Sequence, residues 1–198
     1  YDPPYAVGSP VRGREDGAAG SVFAPFGFLH QTLALSRNVL APGGVCLVFC
    51  DWRRMADLAY IASTVGLRAS TCVSWVRTRP GTGGFMRSAW DPILVVSRGT
   101  PSIVDKKAVP NVIMADYPTK KRHPYQKPRK VFEVLFSRVC IIGDLIVDPF
   151  AGSGVTYDVA EQMGLKWFGC DIDSQYVGSP ANKGLQTTPK DAEQKLLF

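Results

Sequence analysis

The chain has 198 residues, 45% of them apolar, with a formal charge of +6. That length suits one ordinary domain and is short for two, and the apolar share excludes wholesale disorder. No apolar run approaches the roughly 20 residues that span a bilayer, so no membrane partner is expected, and the charge favours a polyanionic one.

The chain opens on Tyr1-Asp2-Pro3-Pro4-Tyr5. Two successive prolines suit the abrupt end of a strand, because each fixes its own backbone and restricts its predecessor. A strand end without its strand implies missing upstream residues, and a chain unstable or inactive by itself. Residues 6–21 are glycine-rich, carry Arg12 and Arg14, and read as a mobile loop. Apolar residues then recur at helical spacing from Phe23 to Leu40, stopped by Pro42-Gly43-Gly44. The continuous apolar run from Val45 to Cys50 has the pattern of a buried parallel strand, and a helix is predicted from Arg54 to Val65. Trp52 either walls a ligand pocket or is plain core.

Leu67 to Val76 and Pro92 to Ser97 read as paired strands, joined by a glycine-rich segment carrying Arg77, Arg79 and Arg87. The stretch 99–122 is polar and weakly patterned, with Lys106, Lys107, Lys120, Lys121 and Arg122 as its charge clusters. A helix from Arg129 to Cys140 leads to a strand from Leu145 to Asp148. Gly152 and Gly154 turn the chain into a helix reaching Met163, and Lys166 to Cys170 is the next strand. Most of the tail after Tyr176 reads as loosely ordered. Strands alternating with helices make this an α/β chain with a doubly wound, mostly parallel sheet lacking its N-terminal strands, as one domain over 1–198.

The five cysteines Cys46, Cys50, Cys72, Cys140 and Cys170 are odd in number and form no C-x-x-C pair. Buried, reduced thiols in a cytoplasmic protein are the reading, and no metal site is expected, since neither His30 nor His123 has a partner at ligand spacing.

The run Asp148-Pro149-Phe150-Ala151-Gly152-Ser153-Gly154 is strand end, tight turn and helix start. Glycine accepts backbone angles that other residues resist and lets a ligand approach the main chain. Farther on, Asp171 closes the next strand, where a carboxylate is placed to accept hydrogen bonds from both ribose hydroxyls of a nucleoside. The third glycine of the dinucleotide fingerprint and the P-loop lysine are both missing, which disfavours a pyrophosphate cofactor. The segment D-P-F-x-G-S-G resembles that of amino-directed DNA methyltransferases. The resemblance implies S-adenosylmethionine as cofactor, with its methionine part wrapped by Phe150, Gly152, Ser153 and Gly154 and its ribose on Asp171.

Asp2-Pro3-Pro4-Tyr5 supplies what methylation of an exocyclic amino group needs. The amino nitrogen shares its lone pair with the ring and is a poor nucleophile. A carboxylate and a backbone carbonyl that accept its two N–H bonds draw it toward tetrahedral geometry and localise that pair. Asp2 and the Pro3 carbonyl fit those roles, Pro4 holds the corner rigid, and Tyr5 offers a ring on which an extruded base stacks. His123-Pro124-Tyr125-Gln126-Lys127-Pro128 resembles the family's H-P-x-Q-K-P segment, which places His123, Gln126 and Lys127 with the cofactor. The proline–proline–tyrosine corner precedes the glycine turn, as in the circularly permuted beta group of the family. No Pro-Cys occurs, which removes covalent catalysis on cytosine carbon five.

DNA is the implied partner, contacted by Arg12, Arg14, Arg77, Arg79, Arg87, Lys106, Lys107, Lys120, Lys121 and Arg122. The target-recognition segment would be 99–122, which is short, and a homodimer or separate specificity subunit would complement it. Family members acting on the N4 amino group of cytosine more often carry serine where Asp2 stands, so N6 of adenine leads. N4-cytosine methylation and a catalytically silent DNA-binding subunit stand as alternatives.

Overall fold

A computed structural model describes residues 2–3, 26–81, 85–123 and 125–171. The predicted loop at 6–21 and the tail after Tyr176 lie outside the described residues. In chain order the elements are α1 (Phe26–Val39), β1 (Val45–Phe49), α2 (Met55–Thr64), β2 (Arg68–Val76), β3 (Trp90–Ser97), β4 (Val112–Met114), α3 (Arg129–Val139), β5 (Leu145–Asp148), α4 (Val155–Gln162) and β6 (Lys166–Gly169). None of the described helices is long and apolar enough to cross a membrane. The described residues fall into two units, one of 2–75 and 85–102, the other of 76–81 and 103–171.

In the first of these units the strands lie in the order β1-β3-β2. The apolar run predicted to be a parallel strand is β1, and its partner β3 runs antiparallel to it, with Val45 opposite Ser97 and Phe49 opposite Ile93. An unbroken apolar run reports burial on both faces and leaves the direction of each neighbour open, and the neighbour described here is antiparallel. The β3 strand begins at Trp90, two positions before its predicted start. Pro92 lacks an N–H yet sits inside it, because there the ladder uses the Pro92 carbonyl, which accepts from the Cys50 N–H at 3.1 Å. Leu29 and Leu33 of α1, Leu58 and Ile61 of α2, Val48, Phe49, Trp75, Ile93 and Val96 are all buried here. Helix α2 packs on α1 and on β3.

The predicted helix from Arg54 is entered two residues early, through a short 3-10 turn at Trp52–Arg54. Asp51 caps it: its Oδ1 accepts from the Arg53 N–H at 2.9 Å, and both oxygens meet the Arg53 guanidinium at 2.8 Å. Those bonds hold the Asp51 carboxyl below the usual range.

In the second unit, β5 and β6 pair in parallel, Leu145 opposite Lys166 and Asp148 opposite Gly169, and α4 connects them. Helix α3 packs against α4 through a buried stripe of Val131, Phe132, Leu135 and Phe136. Val155, Val159 and Ala160 are the buried face of α4. The β4 strand, three residues inside a stretch predicted to be irregular, is too short to show alternation, and it continues into an Ala115 N–H bond to the Val76 carbonyl at 3.0 Å.

Candidate cofactor site

Strand β5 gives out at Asp148 because Pro149 offers no N–H for the ladder. The side chain then takes over, and Asp148 Oδ1 accepts from the Phe150 N–H at 3.1 Å. Gly152 follows at φ +46° and Gly154, the N-cap of α4, at φ +72°. Both angles lie in the left-handed region that a Cβ opposes. A Cβ placed on Gly152 would have no neighbour nearer than 3.9 Å, so that side of the turn is open to an approaching molecule. The turn is laced to the end of β6 by Ala151 N–H to the Cys170 carbonyl and Cys170 N–H to the Asp148 carbonyl, each 3.0 Å. Asp171 completes the lacing, its Oδ2 accepting from the Gly152 N–H at 2.7 Å.

Thus Phe150, Gly152, Ser153, Gly154 and Asp171 come together in one unit. Ser153 is buried and Phe150 half-buried. Burial first, and then the charges of Asp148 and Asp171, push the Cys170 thiol up, so it stands beside the turn as a neutral group. An open strand–glycine turn–helix with a carboxylate at the next strand end fits the donors and acceptors of a nucleoside with a charged amino-acid tail.

The 122–129 segment lies in the same unit and is held on α4. The Arg122 guanidinium donates to Asp158, and Arg129 reaches the Asp158 carbonyl at 3.2 Å and the side chain of Gln162. The Gln126 side chain works within the segment, its Oε1 accepting from the Arg122 N–H at 2.7 Å. His123 Nδ1 accepts from the Tyr125 N–H at 3.1 Å, so the neutral ring carries its proton on Nε2. Lys127 is buried, 6% exposed, directly before the Pro128 N-cap of α3.

Asp2 is half-buried and Pro3 buried, in the unit that does not contain the glycine turn. Pro4, Tyr5, Arg12 and Arg14 lie outside the described residues. Among the cations, Arg79, Arg87, Lys106, Lys107 and Lys120 are exposed. Arg77 is buried, its guanidinium 5.5 Å from the centre of the Tyr117 ring, while Lys121 Nζ lies 4.0 Å from that centre. Thr78 donates through N–H and hydroxyl to Asp116, which holds that carboxyl below the usual range. Trp52 is 61% exposed, and with Met86, Arg87 and Trp90 it lines an open hollow, so it is not core.

Two residues that the sequence reading passed over stand under the turn. Thr156 is buried and donates to Asp148, and Trp167 donates to Thr156. A hydroxyl on the buried face of the helix after a glycine turn is the signal that could have found them.

Residues 104–182 match the family model of the N6/N4 methylases, described as DNA methylase. M.HpaI, a type II methyltransferase of Haemophilus parainfluenzae, is 24% identical over 203 aligned positions, covering 89% of this chain and 64% of that protein. Among solved structures, the complex of M1.HpyAVI with SAM superposes with a TM-score of 0.68 at 20% identity, covering 77% of this chain and 80% of that one. The cytosine-N4-specific PvuII DNA methyltransferase superposes with a TM-score of 0.70 at 19% identity, covering 88% and 74%. The fold is therefore the doubly wound α/β fold of the DNA methyltransferases. Residues 104–182 are similar to the N6/N4 DNA methylases, and the chain as a whole is similar to such enzymes in fold. It spans less than two thirds of the length of M.HpaI.

Proposed function

We propose that this chain transfers a methyl group from S-adenosylmethionine to the exocyclic N6 amino group of an adenine extruded from DNA. The observation that carries the reading is the 2.7 Å bond from the Gly152 N–H to Asp171, which closes an open glycine turn onto a carboxylate within the segment that matches the DNA methylase model. The cofactor supplies an electrophilic methyl on a sulfonium. Asp171 takes the ribose, the 150–154 backbone takes the methionine end, and His123 and Lys127 face its carboxylate. Asp2 and the Pro3 carbonyl accept the two amino N–H bonds, localising the nitrogen lone pair, and Tyr5 stacks on the base. Arg79, Arg87 and the lysines at 106, 107, 120 and 121 neutralise phosphates, with Arg12 and Arg14 added from the loop. The corner-before-turn order supports the permuted beta group.

The likeness to the cytosine-N4-specific PvuII enzyme favours a second reading, methylation of the N4 amino group of cytosine. Asp2 supports adenine, because family members acting on N4 of cytosine more often carry serine at that place. The product distinguishes them. DNA incubated with the chain and S-adenosylmethionine, digested to nucleosides and resolved by mass, is expected to contain N6-methyladenine. N4-methylcytosine alone would replace the first reading with the second, and neither product would leave a silent DNA-binding subunit.

A further inference from the structure

Beneath the glycine turn runs a directed chain of hydrogen bonds. The Trp167 indole N–H can only donate, and it meets Thr156 Oγ1 at 3.2 Å. Thr156 has a single hydroxyl proton, and it points to Asp148 Oδ2 at 2.7 Å, among buried groups. The other oxygen of that carboxylate accepts from the Phe150 N–H at 3.1 Å, at the head of the turn. All the donors in this chain point toward Asp148, so the orientation of the carboxylate is set from both sides.

The place of the indole is built into the strand. A Cβ on Gly169 would fall 2.3 Å from Trp167 Cζ2 and 2.5 Å from Cη2, so the ring fits only because residue 169 is glycine. Tyr157 meets the ring edge-on, with centroids 5.3 Å apart at 69°. Glycine and tyrosine together leave the indole one orientation, with its N–H on the Thr156 hydroxyl.

We propose that Trp167 and Thr156 are positioning residues for the cofactor turn. They fix the Asp148 carboxylate, and through it the Phe150 amide and the backbone of 150–154, in the shape that receives the methionine end of S-adenosylmethionine. This rests on the reading of that turn as the S-adenosylmethionine site. Removing the Thr156 hydroxyl takes one donor from a buried carboxylate, and removing the indole N–H lets the hydroxyl rotate away.

The test uses the full chain with Trp167→Phe, Thr156→Val and Thr156→Ser. Two readouts are taken: S-adenosylmethionine affinity by calorimetry, and hydrogen exchange of the peptide spanning 148–156. Trp167→Phe is expected to weaken binding roughly 3- to 10-fold, the scale of one lost neutral hydrogen bond, and Thr156→Val by more, because its hydroxyl donates to a carboxylate; both are expected to speed exchange of that peptide. Thr156→Ser keeps the hydroxyl and restores both. In turnover the loss appears in KM for the cofactor, with kcat at saturation nearly unchanged. Wild-type affinity and exchange in both Trp167→Phe and Thr156→Val would overturn the proposal, as would a lowered melting temperature with exchange at 148–156 unaltered. A wild-type chain that binds no S-adenosylmethionine overturns the site reading instead, and exchange then judges the positioning role by itself.

Discussion

Asp171 has two tasks that a single substitution separates. Its carboxylate holds the Gly152 amide at 2.7 Å, and in the proposed function it also receives the ribose. Asp171→Ala removes both and is expected to weaken S-adenosylmethionine binding by about 1.5–3 kcal/mol, the usual scale for a hydrogen bond to a charged group. Asp171→Asn retains one acceptor oxygen for Gly152 and loses the charge, so its loss is expected to be smaller. Calorimetry on the two variants measures the difference, and equal losses would mean that the Gly152 bond contributes nothing. Asp171 was legible in the sequence because a carboxylate at a strand end after a glycine turn is a local pattern. Trp167 and Thr156 were not, since each is ordinary by itself and only the register of β6 against α4 makes them meet. Gln126, marked for the cofactor by its motif, also has a local task that the motif does not reveal, its Oε1 accepting from the Arg122 N–H.

At the scale of elements, β6 has little tolerance. Gly169→Ala puts a methyl 2.3 Å from the Trp167 ring and 3.0 Å from the Asp148 carbonyl, and that ring is braced by Tyr157. Overpacking of this kind costs about 1–3 kcal/mol. Urea unfolding is expected to show a lowered midpoint with an unchanged slope, and an unchanged midpoint would mean that the strand relaxes freely. The helices were legible from apolar spacing and from glycine and proline boundaries, and α1, α2, α3 and α4 lie close to their predicted bounds. Strand existence was equally legible, but strand partnership was not. The run Val45 to Phe49 is apolar throughout, and nothing in it reveals that β3 lies antiparallel beside it. The three residues of β4 carry too little pattern to be read at all.

Across the whole molecule, the described carboxylates that depart from their ordinary values share one direction. Asp51, Asp105 and Asp116 are all lowered, Asp51 chiefly by the Arg53 guanidinium, Asp105 by the Lys107 backbone amide and Asp116 by Thr78. A folded value below the unfolded one means that these bonds stabilise the fold above about pH 4 and are lost as pH falls through the lowered values. Stability measured by urea midpoint is therefore expected to hold from neutrality down to about pH 5 and to decline below pH 4. A midpoint that rises on acidification would contradict these assignments. Asp105 and Asp116 face solvent, so their share is screened and diminishes with added salt.

The bond from Gly152 to Asp171 joins partners only 19 positions apart along the chain. Loop closure over so short a span forfeits little chain entropy, and contacts of low sequence separation form early. Strand, turn, helix and returning strand can therefore be assembled while distant segments are still searching for one another. The two left-handed glycines of the turn and the carboxylate that Gly152 meets are in this way drawn from one short, continuous stretch of the polypeptide.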